Sequence, residues 1–241
     1  MISLIYYILL IILCLFVMAL SIVALLLCRP FDPGRRVVHY LTMIMTRIFY
    51  GGKLYWPTTV LGAENLDSKK SYVVIINHQC MMDIPTLYLL NFHFRWVSKK
   101  EVFKIPFFGQ YLLIHGDIAI ERGNPKKAMA KVIADGRKWI SRGVSVAIFP
   151  EGTRSKDGEI HRFKAGAFNL AKEAGVEILP IVLDGTPGSF SKLGLFQWRN
   201  KTTLKVLPPI SKEIVESLEA KELAEMARTQ MVEALNTIRK K

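Results

Sequence analysis

Residues 1 to 28 carry no charged side chain, and that run limits what the chain can become. As a helix it would be about 42 Å long, more than the ~30 Å hydrocarbon core of a bilayer. The competing reading, a cleaved signal peptide, lacks a basic region ahead of the run and a small-x-small site before Cys28. A retained anchor is therefore expected, either spanning the bilayer or entering one leaflet. Arg29, Arg35 and Arg36 follow at once, and the positive-inside rule assigns the rest of the chain to the cytoplasm. From Val37 to Tyr50, the residues Val38, Leu41, Met45, Ile48 and Phe49 recur at helical spacing with Arg47 to the other side, and Tyr55-Trp56 follows. Such a helix either lies in the membrane interface or packs on the domain.

Because the first 28 residues are uncharged, the whole net charge of +13 falls on residues 29 to 241. An anionic bilayer surface, a phosphate-bearing substrate or an acidic carrier protein fits that balance. Nucleic acid does not, since no nucleic-acid module signature accompanies the charge. Cys14, Cys28 and Cys80 form no disulfide framework, and the histidines His39, His93, His115 and His161 have no metal-ligand spacing, so no metal is expected.

Strand-like and helix-like segments alternate after Thr58. Strands are expected near 59–62, 72–77, 94–98, 117–120, 144–149, 177–183 and 203–207. A helix opened by Asn124-Pro125 presents Ala128, Met129, Val132, Ile133, Trp139 and Ile140 on one face and ends before Gly143. Another, near 220–239, repeats Leu223, Ala227, Met231, Leu235 and Ile238. The alternation predicts an α/β fold with a mixed, largely parallel sheet flanked by helices, and ligands at the carboxyl ends of its strands. The division expected is an N-terminal membrane-associated element over 1–56 and a catalytic domain over 57–241.

The run Tyr72 to Ile76 leads into Asn77-His78-Gln79-Cys80-Met81-Met82-Asp83. His78 and Asp83 would lie roughly 140° apart in a helix and on opposite faces of a strand, so they can pair only across a turn. Paired, Asp83 would orient the imidazole and leave one ring nitrogen as a base; unpaired, Asp83 is an N-cap and His78 an ordinary loop histidine. A second apolar run, Val144 to Phe149, enters Pro150-Glu151-Gly152-Thr153-Arg154-Ser155. Here Gly152 admits close backbone approach, Thr153 and Ser155 offer hydroxyls, and Arg154 offers a donor fork matched to phosphate. Two such loops at strand ends suggest one cleft, with a base in one wall and an anion cradle in the other.

These stretches resemble the signature blocks of the glycerolipid acyltransferase superfamily, and the chain is similar to its PlsC-type 1-acyl-sn-glycerol-3-phosphate acyltransferases over about residues 55 to 210. Asn77, His78 and Asp83 match the His-x4-Asp block. Gly116 to Arg122 resembles the second, Phe149 to Ser155 the third, and Leu179-Pro180-Ile181-Val182 the fourth. Lys99, followed by Pro106-Phe107-Phe108-Gly109, also fits, and Ala119 departs from a bulkier family residue.

The resemblance implies acyl transfer from acyl-CoA or acyl carrier protein to lysophosphatidic acid, without a cofactor, at an anionic membrane surface. It implies the bacterial inner membrane, with the domain on the cytoplasmic side and a two-helix element beside it. His78, oriented by Asp83, would take the 2-hydroxyl proton. Arg122, Gly152, Thr153 and Arg154 would hold the phosphate, while Glu151 orients glycerol or tethers Arg154. Lys99 and Lys164 are further substrate contacts or solvated charges. Ile105 to Ile114 lines an acyl tunnel or packs a core. Alternatives are another lysophospholipid or glycerol 3-phosphate as acceptor, a membrane-anchored lipid-binding protein, and a hydrolase using Cys80.

Overall fold

The computed structural model describes residues 2–49, 57–121, 123–189 and 200–240. Its helices are α1 (Ile2–Cys28), α2 (Arg36–Phe49), α3 (Asp83–Leu87), α4 (Phe108–His115), α5 (Pro125–Ile140), α6 (Gly166–Ala174), α7 (Lys212–Ser217) and α8 (Ala220–Arg239). Its strands are β1 (Thr58–Leu61), β2 (Val73–Ile76), β3 (Phe94–Lys99), β4 (Ile118–Ile120), β5 (Ser145–Ile148), β6 (Ile178–Asp184) and β7 (Thr202–Val206). Each falls within two residues of its expected bounds.

The strands form one seven-stranded sheet in the order β1-β7-β6-β2-β5-β3-β4. Among the described strands only β6 and β7 pair antiparallel, so β1 and β7 run against the other five. The apolar run of β2 is continuous because both faces of the sheet are covered. Val73 and Ile75 pack in one core with α5, α6 and α8, while Tyr72, Val74 and Ile76 pack in the other with Leu87 of α3 and Met43 of α2. Asn124 caps α5 as its position predicts, its Oδ1 accepting from Lys127 N at 3.0 Å. Val132 and Trp139 are buried, whereas Ala128, Met129, Ile133 and Ile140 are half-buried at the rim of that face.

Helices α1 and α2 pack side by side across the short linker 29–35 and are therefore antiparallel. Of the apolar face read on α2, Val38 is buried, Leu41 and Met45 are half-buried and Ile48 is exposed. Val38, His39, Thr42, Met43 and Thr46 point inward, whereas Val37, Tyr40, Ile44 and Ile48 are exposed. Polar partners select the inner side: Thr42 Oγ1 and Tyr111 Oη of α4 lie 2.6 Å apart. Tyr55 and Trp56 lie outside the described residues.

At the amino ends of the central strands, a buried polar cluster holds this hairpin to the sheet. Arg95 of β3, fully buried, donates from Nη2 to Gly34 O at 2.7 Å and Arg35 O at 3.1 Å. His39 uses Nε2 on Phe92 O at 2.9 Å, and His115 uses Nδ1 on Asp117 Oδ1 at 2.8 Å. Those partners require N–H at both positions, so the remaining nitrogens, 3.1 Å apart, face each other as lone pairs. Arg95 Nη1 supplies the missing donor, 3.4 Å from His39 and 3.2 Å from His115.

Between β3 and α4 the chain makes a hard corner. Phe108 N donates to Pro106 O at 2.7 Å, closing a γ-turn with Phe107 at φ 63° and ψ −49°, the rare and strained form. Only glycine fits two residues on, since a Cβ on Gly109 would stand 2.0 Å from Phe103 O. Such a backbone conformation in a non-glycine residue costs about 1–3 kcal/mol.

Two outcomes follow. Burial, with Arg95 beside it, pushes His93 from its ordinary 6.5 down to about 2, and burial likewise lowers His115 against the pull of Asp117. The native state then binds fewer protons than the unfolded chain below pH 6.5, so stability is fully present above that value and is lost as the pH falls. Urea unfolding between about pH 7 and pH 5 should show His93 alone removing about 1.4 kcal/mol per unit below its ordinary value. Second, Phe107→Gly should raise the unfolding free energy by about 1 kcal/mol, read by the same titration.

Candidate active site

The site begins with a strand that ends one residue early. Asn77 takes the place of the next ladder rung: its Nδ2 donates to Leu183 O at 2.8 Å and its Oδ1 accepts from Leu183 N at 2.7 Å. That side chain extends the β2–β6 pairing and delivers His78 beyond the carboxyl end of the sheet.

His78 and Asp83 meet across the turn. His78 Nδ1 donates to Asp83 Oδ2 at 2.7 Å, and the same oxygen accepts from Gln79 N at 2.6 Å and Cys80 N at 2.9 Å. The other oxygen accepts from Thr186 Oγ1, which follows β6. Asp83 therefore organises its own loop rather than capping α3. The Asp83 side chain is wholly buried and the imidazole 14% exposed. With Nδ1–H committed, Nε2 carries the lone pair. The ring lies flat on Phe149, with centroids 3.9 Å apart and planes at 14°, and Phe149 stacks in turn on Trp96.

Glu151 ties this loop to the second one. Its Oε1 accepts from His78 N at 2.9 Å and its Oε2 from His161 N at 3.1 Å, while Ser155 N donates to His78 O at 2.7 Å. Burial raises the Glu151 pKa, opposed by those two amide bonds. Both of these bonds go to main-chain amides and clamp the two loops together.

Gly152 sits at φ 73°, and a Cβ there would stand 2.7 Å from Lys164 Nζ, so the ammonium lies directly over this glycine. Thr153 and Arg154 are exposed beyond it. Lys99 ends β3 at the same edge of the sheet and is exposed. Arg122 lies outside the described residues; β4, two residues before it, ends at Ile120 paired with Lys99. Cys80 is half-buried, its thiol pushed up by burial and by Asp83, and His78 Nδ1 is engaged by Asp83. That arrangement opposes a thiolate nucleophile.

The topology explains why these loops converge. After β2 the chain crosses over β5 to β3, whereas after β5 it crosses back over β2 to β6. Adjacent strands leaving in opposite directions open a crevice at their carboxyl ends, and His78 and Glu151 stand on its two sides. Thr186 is the residue sequence reasoning missed; its signal was a hydroxyl just past the carboxyl end of β6. Thr186→Val should leave a carboxylate oxygen of Asp83 without its partner and cost about 1–3 kcal/mol in urea unfolding.

A family model described as Acyltransferase matches residues 57–184. The chain is 31% identical over 182 residues to the 1-acyl-sn-glycerol-3-phosphate acyltransferase of Borreliella burgdorferi, covering 75% of this chain and 72% of that one. It is 33% identical over 211 residues to the chloroplastic 1-acyl-sn-glycerol-3-phosphate acyltransferase BAT2 of Brassica napus, covering 86% of this chain. It spans 59% of that relative's length, and 44% and 40% of its Arabidopsis thaliana and Chlamydomonas reinhardtii counterparts. The crystal structure of the 1-acyl-sn-glycerophosphate acyltransferase PlsC from Thermotoga maritima shares the fold, with a TM-score of 0.82 at 24% identity over 99% of this chain and 95% of that one. On the extent of the family match and of the Borreliella alignment, the chain belongs to the acyltransferase family that includes the 1-acyl-sn-glycerol-3-phosphate acyltransferases.

Proposed function

We propose that this protein transfers an acyl chain from an acyl thioester to the 2-hydroxyl of lysophosphatidic acid, giving phosphatidic acid for phospholipid synthesis. The observation that carries this reading is the tautomer: Asp83 holds Nδ1–H of His78, so Nε2 stands as a base at the crevice. Nε2 takes the 2-hydroxyl proton, the oxygen attacks the thioester carbon, and the carbon–sulfur bond breaks. The thiolate leaves with the proton that the imidazolium returns, and no covalent enzyme intermediate forms.

Lys164 over Gly152, with Thr153 and Arg154 at the rim, serves the acceptor phosphate as a charge-assisted cradle. Arg122 and Lys99 are assigned to the same substrate from their positions after β4 and at the end of β3. The donor is acyl-CoA or acyl carrier protein, both anionic near the thioester and suited to a chain of net charge +13.

The site works at the surface of a membrane, assigned here to the cytoplasmic side of a bacterial inner membrane. Two features support the membrane contact. Helix α1 exposes Leu9, Ile12, Phe16 and Val23 along its length, and α2 exposes Val37, Tyr40, Ile44 and Ile48 while burying the polar His39, Thr42 and Thr46 beside Val38 and Met43.

The test is acyl transfer by the full chain in vesicles supplied with lysophosphatidic acid and a long-chain acyl-CoA. His78→Ala should lower kcat by about 10²–10⁴-fold, and Arg154→Ala should raise the acceptor KM with kcat little changed. Full activity in His78→Ala overturns the mechanism; a wild type active only on another acceptor overturns the substrate.

A further inference from the structure

We infer that the corner Ile105–Phe108 is a second point of membrane insertion beside the mouth of the site, separate from the helical hairpin. This rests on the membrane reading given above. Phe107 holds a positive-φ γ-turn, a conformation tolerated where surrounding contacts enforce it or where a partner rewards it, yet its side chain is 64% exposed. Ile105 and Phe108 are exposed with it. The chain thus accepts backbone strain to hold an aromatic ring away from its own core.

Position identifies what the ring meets. The corner follows the carboxyl end of β3, so it lies at the same end of the sheet as His78, and Met81 of the His78 loop is exposed at that end too. Helix α4 continues from the corner and packs against both α1 and α2, so its apolar surface joins theirs. The linker before α2 is fixed to the far end of α4, where Arg35 Nη1 donates to Leu113 O at 2.8 Å and Ile114 O at 2.9 Å. Helix α2 rises from there toward the corner, and α1, antiparallel to it, begins at the corner's end of the molecule. The start of α1 and the Phe107 ring therefore project past the same edge. Lys99, Lys100 and Lys104, all exposed, lead into the corner with Glu101 as the single acid among them, a basic approach matched to anionic headgroups. An apolar tip with a basic approach, continuous with an apolar helical hairpin, fits a lipid bilayer surface.

The experiment uses the full chain reconstituted into vesicles of phosphatidylcholine and phosphatidylglycerol, with and without bromine on the acyl chains. Emission added by Phe107→Trp over the wild-type background should be quenched by brominated chains, as should that added by Phe16→Trp on α1. Quenching at Phe16→Trp without quenching at Phe107→Trp overturns this inference and leaves the membrane reading standing; no quenching at either overturns both. Phe107→Gly keeps the turn and removes the ring. It should lower kcat/KM for long-chain lysophosphatidic acid in vesicles about tenfold or more while sparing a short-chain, water-soluble acceptor. Equal loss on both acceptors, or none on either, overturns the inference.

Discussion

The carboxylate of Asp83 is the point on which the site depends. It accepts one imidazole N–H, two main-chain N–H groups and one hydroxyl, and it is wholly buried. Burying a carboxylate is costly unless its lone pairs are taken, and here three of the four donors come from the five residues before it and the fourth from the loop after β6. The bonds that stabilise the carboxylate also give His78 its tautomer and its direction. Local folding and the placing of the base are therefore one event.

A different constraint governs the hairpin of α1 and α2. In the membrane reading proposed here, α2 faces lipid on one side and protein on the other, and hydrophobicity alone cannot tell the two apart, since both are apolar. In α2 the protein side is marked by His39, Thr42 and Thr46, and Arg95 completes the mark by supplying the donor that two imidazoles lack. The guanidinium also lies 5.0 Å from the ring centroid of Trp139 on α5, so one side chain joins hairpin, sheet and covering helix.

This logic explains which features could be read from the residues. The strands were legible because the central ones are buried on both faces and appear as unbroken β-branched runs. His78 and Asp83 were legible as a pair because their spacing allows only a turn. Periodicity alone could not choose between lipid and protein for the α2 face, which runs from buried Val38 through half-buried Leu41 and Met45 to exposed Ile48. The cluster of His39, Arg95 and His115 left no local trace, because its members stand 56, 20 and 76 positions apart. Glu151 was recognised by its block, but its clamp on His78 and His161 is tertiary and had no signature.

That clamp has a consequence for selectivity. Glu151 joins the main chain at His78 to the loop bearing Gly152, and Ser155 N closes the same junction from the other side. The base and anion cradle proposed here are thereby joined at a fixed separation. For the acceptor proposed here, phosphate at one jaw leaves the base a single reach along the glycerol backbone. The choice between neighbouring hydroxyls becomes a matter of length, measured by the protein's own backbone rather than by any group that recognises the hydroxyl itself.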